Sequence, residues 1–442
     1  MQEGHYTSYR SILKITLPLV VVHLSSYLMM SIDRIILSTV DINMMNSVAM
    51  SMSIINIFIL FFTNIIEKNS IFSSQYYGDK QYTKVSTCVW QMIFFSFLLI
   101  PLALAVSFLS DKLHILPDYL CVYGIPYQKI IFSFSFTFFL YEALTTFFVG
   151  QGKTYILSIS IILGCIVNVI LSIFFIKVFN LGTIGSAYGT ILGLLAEILF
   201  LGYLFLNKSN NEIFKTRTIS YDFSLLKKIF KLGLPTGFVN SLTQVSLISI
   251  LYLINEISNE QLTIYNLFLT VYLFFSFISY AVLQAVASVG AKLVAVNNLS
   301  EIKNLLKKMM VIIFTFLFCV SILIFFFKET IIEGIINIAP NTRSYSDIIE
   351  FCLYITILWQ PLEFAHRTLQ GICISGGDTK FVSTMNAYVF IGFNLTSILT
   401  LKYMGLLTSI RPIMCIFSID AIGLFIVFYL RYKSLKWFKK II

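Results

Sequence analysis

The sequence predicts an all-α membrane protein of twelve transmembrane helices, built as two six-helix lobes that repeat one another. Composition, run length and recurring landmarks predict it. Of 442 residues 58% are hydrophobic and only 12% charged, with a mean hydropathy of +0.87, far from the balance of soluble globular chains. A helical span needs about 20 mostly apolar residues. Twelve such runs occur, at 12–38, 46–74, 86–108, 124–149, 155–177, 184–206, 225–254, 262–291, 308–327, 349–374, 381–402 and 411–430. A closed β-barrel would show segments of about ten residues with alternating polarity; these runs are long and continuously apolar.

Taken in order, the runs carry a pattern. The first follows the polar MQEGHYTSYR and is too long for the apolar region of a cleaved signal, so no targeting segment is expected to be removed. It contains Pro18 in ILKITLP and then the adjacent pair Asp33 and Arg34. The second closes on SSQYYGDKQ, and the fourth runs into the turn GQGKT. Asn168 and Ser172 lie in the fifth, Thr190 and Glu197 in the sixth. The polar stretch 207–224, NKSNNEIFKTRTISYDFS, reads as a cytoplasmic linker between an N-terminal lobe, 1–206, and a C-terminal lobe, 225–442, which ends in a short basic tail.

Past the linker the landmarks return. ILKITLP recurs as IFKLGLP 217 residues on, and at the same offset SSQYYGDKQ falls opposite GAKLVAVNN. GQGKT recurs as SGGDT 225 residues on. Three landmarks in order are an internal repeat. Six helices separate the copies, so both halves share one orientation, the parallel arrangement in which transporters bind substrate and ions near the midplane.

With the N-terminus inside, and residues near the run ends counted with the segments they adjoin, 21 basic residues fall in inside segments, 6 in outside segments and 4 within spans. This bias places both termini in the cytoplasm, in a cytoplasmic (inner) membrane. The net charge of +10 therefore reads as orientation and contact with anionic lipid headgroups, not as nucleic-acid binding. Seven scattered cysteines make neither a disulfide framework nor a metal cluster. No GxxxxGK[ST], HExxH or GxSxG motif is present, which argues against an enzyme.

The early proline with an aspartate fifteen residues on, the QYYG box, the Gly-x-Gly-x-Thr turn, Asn168 and the second-half LGLP and GGDT together resemble the multidrug and toxic compound extrusion (MATE) family. The resemblance covers nearly the whole chain and implies two lobes forming a V. A lipid-linked oligosaccharide flippase of the same superfamily is the alternative.

Ionisable residues within spans are costly and functional by default. The resemblance implies a cation-coupling site of Asp33, Asn168 and Thr190, a proton or sodium site; where the family has a carboxylate four residues after the asparagine, this chain has Ser172. Ser26 shares the helix face of Asp33, and Arg34 is rotated about 100° from it. Glu197, seven residues after Thr190, and Glu67, on a stripe with Asn64, Ser70 and Ser74, are each able to restore the missing charge. Lys68 is placed to neutralise a carboxylate of another helix. Glu142, with Thr145 and Thr146, forms a further polar stripe. The family's span-seven glutamate is replaced by Thr243, followed by Gln244. Glu363 heads a polar face with His366, Arg367 and Gln370; Glu363 and Arg367 are spaced for an ion pair, or for a switch in which protonation of Glu363 or His366 releases Arg367. Asp420 stands alone in span twelve.

The expectation is a secondary antiporter exporting an amphipathic organic cation in exchange for H⁺, with Na⁺ second. With residues near the run ends, such as Lys227, Lys228, Lys231 and Glu350, counted in the flanking segments, in-span acids outnumber in-span bases six to four, which favours a cationic substrate. No cofactor or resident metal beyond the coupling ion is expected, and the chain is expected to act as a monomer.

Overall fold

In the computed structural model, residues 7–110, 112, 116, 118–338, 344 and 346–438 are described. The side chains of Ser26, Arg34 and several other helical residues lie outside the described set. Every described element is helical. Among the described residues nine helices, ten counting one bent pair, are long and apolar enough to cross a membrane.

The predicted spans map onto the helices one by one. Span one is α1 (Tyr9–Ser38), and span two is α2 (Ile42–Glu67) with α3 (Asn69–Gly78). Span three is α4 (Tyr82–Leu98) with α5 (Ile100–Leu109), and Pro101 sits in the first turn of α5, where its missing N–H costs nothing. Span four is α6 (Asp118–Ser133) and α7 (Phe136–Gln151), bent by 45° at the break. There the Phe134 carbonyl accepts the Thr137 N–H at 2.9 Å and also Thr137 Oγ1 at 2.7 Å, a tight turn reinforced by a hydroxyl. Span five is α8 (Tyr155–Ile173) and a π-helical turn, Phe174–Val178; span six is α9 (Gly182–Phe205).

The linker carries α10 (Lys208–Phe214), and the second half follows with α11 (Phe223–Asn255), α12 (Asn259–Ala295), α13 (Leu299–Phe326), α14 (Lys328–Ile338) and α15 (Ser346–Ser375). Span eleven is α16 (Thr379–Ala387), a second π-helical stretch Tyr388–Leu395, and α17 (Thr396–Tyr403); α18 (Arg411–Lys433) is span twelve.

The chain divides into two compact units. The first is made mainly of Leu13–Ser241 with Ala291–Asn297. Its α8 and α9 approach closely because glycine recurs every four residues on α9, at Gly185, Gly189 and Gly193. A Cβ on Gly193 would lie 2.8 Å from the Gly164 carbonyl oxygen, and one on Gly189 only 2.2 Å from Ser172 Oγ. Small residues at this spacing let helix backbones meet where lipid offers no hydrophobic drive. Hydroxyls tie α1 to the fifth span: Thr154 Oγ1 donates to the Ile15 carbonyl at 2.9 Å and Ser158 Oγ to the Pro18 carbonyl at 2.8 Å. Residues 207–224 are folded onto this unit. Trp90 Nε1 donates to the Thr216 carbonyl at 2.9 Å and Ser86 Oγ to the Phe214 carbonyl at 2.8 Å.

The second unit is made mainly of Leu242–Gly290 with Asn298–Lys439. Its apolar core gathers Ile250, Ile254, Trp359, Met414, Phe417 and Ala421. Arg431 clamps the SGGDT turn, with Nε 2.6 Å and Nη2 3.0 Å from the two carboxylate oxygens of Asp378.

The repeat is visible in the backbone. Left-handed residues recur in pairs at the offsets of the sequence landmarks: Lys80 with Asn297, Gly152 with Gly377, Asn180 with Gly405. A π-helical turn occurs in the fifth span of each half.

Candidate functional site

Four buried oxygen-bearing side chains from three helices meet in the first unit. Asp33 of α1 is 6% exposed, Asn168 and Ser172 of α8 are fully buried, and Thr190 of α9 is 6% exposed. Thr190 Oγ1 donates to Asp33 Oδ2 at 3.1 Å, and Asn168 Nδ2 donates to the same oxygen at 3.3 Å and to Thr190 Oγ1 at 3.4 Å. Ser172 borders the carboxylate. Among the described residues, Asp33 Oδ1, Asn168 Oδ1 and Ser172 Oγ are buried without a hydrogen-bond partner. One carboxylate oxygen and two neighbouring oxygens, all unpartnered among the described residues, are costly unless a cation or a proton visits them. All are hard oxygen donors, a set that fits a small monovalent cation as well as a proton. The side chain of Arg34 lies outside the described residues; the described partners of Asp33 are neutral.

Glu197, 1% exposed, is not hydrogen-bonded into this set. Its side chain lies against Gly164, where a Cβ would come within 2.1 Å of Oε1. The Tyr141 hydroxyl faces both Glu197 and Glu142, and Cys165 lies between Glu197 and Asp33, sensing both carboxylates.

At the break between α2 and α3, Lys68 Nζ is 3.1 Å from Glu67 Oε2, both side chains almost wholly buried. Lys68 thus pairs with its own neighbour while Glu142 faces the pair from α7. Thr145 Oγ1 donates to Glu142 Oε1 at 3.3 Å, and Asn69 Nδ2 to Thr146 Oγ1 at 2.8 Å.

The second unit holds a different arrangement. Glu363 takes Arg367 Nε at 2.9 Å on Oε1 and His366 Nε2 at 2.7 Å on Oε2. Gln370 Nε2 is 3.2 Å from His366 Nδ1 and donates to Asn386 Oδ1 at 3.0 Å. An amide donor at Nδ1 leaves the imidazole proton on Nε2, facing Glu363. Asp420, alone in the sequence reading, accepts a short hydrogen bond from Asn394 Nδ2 of the π-helical stretch. Thr243 and Gln244 are half-buried on α11, and no hydrogen bond joins them to Glu363 among the described residues. No group of three His, Cys, Asp or Glu side chains is placed to hold a metal among the described residues.

Sequence reasoning missed Tyr141, Cys165, Asn386 and Asn394. The glycine spacing of four on α9 was a legible signal of the α8–α9 contact that builds the site.

A sequence profile of the family described as MatE matches residues 18–174 and 235–414. The probable multidrug resistance protein YoeA of Bacillus subtilis (strain 168) is 27% identical over 250 residues, 54% of each chain. That match spans about half the length of the curated relative. The fold is similar to that of the eukaryotic MATE transporter AtDTX14, with a TM-score of 0.86 at 17% identity over 99% of this chain and 98% of that one. An outward-facing multidrug resistance MATE transporter of the MOP superfamily gives 0.84 at 16%, over 99% of both chains. A MOP superfamily transporter from Pyrococcus furiosus Vc1 gives 0.82 at 15%, again over 99% of both. At these identities the likenesses establish the fold, and the profile match, which covers most of both halves, establishes the family. The chain belongs to the MatE family, whose members are transporters and not enzymes.

Proposed function

We propose that the protein is a secondary antiporter of a cytoplasmic membrane, exporting amphipathic organic cations in exchange for inward H⁺, with both termini in the cytoplasm and 1–206 and 225–442 as its two moving lobes. The observation that carries this reading is Asp33: a buried carboxylate whose described partners are neutral donors, bordered by oxygens without partners. Such a group changes its charge state without breaking an ion pair. A protonated Asp33 no longer needs two donors on Oδ2, so the tie from α1 to α8 and α9 loosens. Differential binding of the proton to the two conformations is what biases the transporter.

The substrate class is supported by the acids within spans and by Glu142 standing beside the compensated Glu67–Lys68 pair. YoeA, a probable multidrug resistance protein, is consistent with broad organic substrates. Sodium is the second reading, favoured by the three unpartnered oxygens at Asp33, Asn168 and Ser172.

Everted membrane vesicles test both. A fluorescent organic cation should accumulate when a proton gradient is imposed without sodium. Accumulation only under a sodium gradient selects the second reading, and accumulation under neither, with transfer of a lipid-linked oligosaccharide instead, overturns the proposal in favour of a flippase.

A further inference from the structure

The repeat assigns places in the second half to two members of the Asp33 site, Asp33 and Asn168. The 217-residue offset of the proline landmarks carries Asp33 to Ile250, which is fully buried in the second unit's core together with Phe417 and Ala421, on either side of Asp420. The 225-residue offset of the glycine turns carries Asn168 to position 393, one residue short of Asn394. The π-helical stretch Tyr388–Leu395 begins before Asn394, whereas the first half's π turn, Phe174–Val178, follows Asn168, so it accounts for that one residue, since a π turn is the helical way to absorb a single insertion. Asn394 is therefore the structural counterpart of Asn168.

The hydrogen bonding agrees. In the first unit the fifth-span asparagine donates Nδ2 to oxygens of α1 and of the sixth span. In the second unit Asn394 donates Nδ2 to Asp420 Oδ2, again an oxygen of the sixth span of its half. Asn394 and Asp420 are 0% and 7% exposed, and Asn394 Oδ1 has no hydrogen-bond partner among the described residues. The carboxylate is kept but has moved from the first span of the repeat to the last.

We propose that Asp420 and Asn394 form a second proton-binding site, the counterpart of the Asp33 site, so that each half of the transporter carries one exchangeable proton. The charged groups facing Asp420 are Glu363 and Arg367 of α15. Arg367 is committed to Glu363 through Nε, so Asp420 is placed to exchange its proton without breaking that pair. Protonation adds a hydrogen to the Asp420 carboxylate from one side of the membrane and deprotonation returns it to the other, with no further reactant. Its part in the transport cycle rests on the proton-coupled reading above.

Infrared pH titration of the purified full-length protein, without substrate, tests the site directly. The wild type should show a carboxylic-acid band that titrates with pH and loses one component in Asp420→Asn. Asn394→Leu should keep that component and shift its midpoint, which also covers the case of Asp420→Asn failing to fold. An unchanged titration in Asp420→Asn, or an unmoved midpoint in Asn394→Leu, overturns the site. If the component behaves as expected but substrate movement ignores a pH gradient, the coupled reading fails and the site's role in the cycle falls with it.

Discussion

At the scale of single residues, buried charges differ in what surrounds them. Glu363 is occupied on both oxygens, by His366 and Arg367. Asp33 accepts from two neutral donors, Asn168 and Thr190, and its other oxygen has no hydrogen-bond partner among the described residues. Lys68 and Glu67 are a buried pair with side-chain exposures of 5% and 10%, whereas Lys84 and Asp222 are 44% and 29% exposed. Removing one partner of a buried pair costs about 3–5 kcal/mol, and an exposed pair is worth about 0–1 kcal/mol. Lys68→Met should therefore lower the unfolding free energy several-fold more than Lys84→Gln, as read by denaturant unfolding in detergent. Asp33, Asn168 and Thr190 were legible because their spacing within runs is a family pattern. The partner of Lys68 was not, because adjacent residues on an unbroken helix point about 100° apart, and the break at Lys68 is written in no proline or glycine.

At the scale of elements, the α8–α9 contact positions the site. A valine at Gly193 would push its Cβ into the Gly164 carbonyl at 2.8 Å and Asn168 Cβ at 2.9 Å. Overpacking of this kind costs about 1–3 kcal/mol. Gly193→Val should lower the melting temperature and weaken transport together, while alanine at Gly202, where nothing lies within 4 Å, should leave both unchanged. Ahead of α11, Lys84 Nζ sits 3.0 Å from Asp222 Oδ2. That hydrogen bond, with one from the Leu225 N–H, holds the Asp222 carboxyl below the usual carboxylate range. The sign follows: this stabilisation is fully present above the unfolded value of about 3.9 and is lost as pH falls through the depressed folded value. Acid melting of Lys84→Gln should show a shallower fall than the wild type in that range. The twelve spans were legible from run length alone. Asn394 as the partner of Asp420 was not, because the π-helical insertion displaces the register by one residue.

At the scale of the whole molecule, duplication organises the chain. The left-handed pairs Lys80 with Asn297 and Gly152 with Gly377 show that the sequence landmarks mark identical chain reversals, so the repeat could be read before any helix was placed. The two halves have since diverged in where they carry charge: Asp33 in the first span of one, Asp420 in the last span of the other. The basic bias predicts that a cysteine placed at Lys436, in the C-terminal tail, reacts with a membrane-impermeant thiol reagent only when the cytoplasmic face is opened. Reaction in intact cells would invert the orientation.

The central claim is that Asp33 couples proton entry to export. Its most direct test is the initial rate of organic-cation movement in proteoliposomes of wild type and Asp33→Asn under an imposed pH gradient, with sodium absent. The account predicts gradient-driven movement by the wild type and at least a tenfold loss, ~1.4 kcal/mol or more on the barrier, in Asp33→Asn folded to the same melting temperature. Equal rates in the two proteins would contradict it.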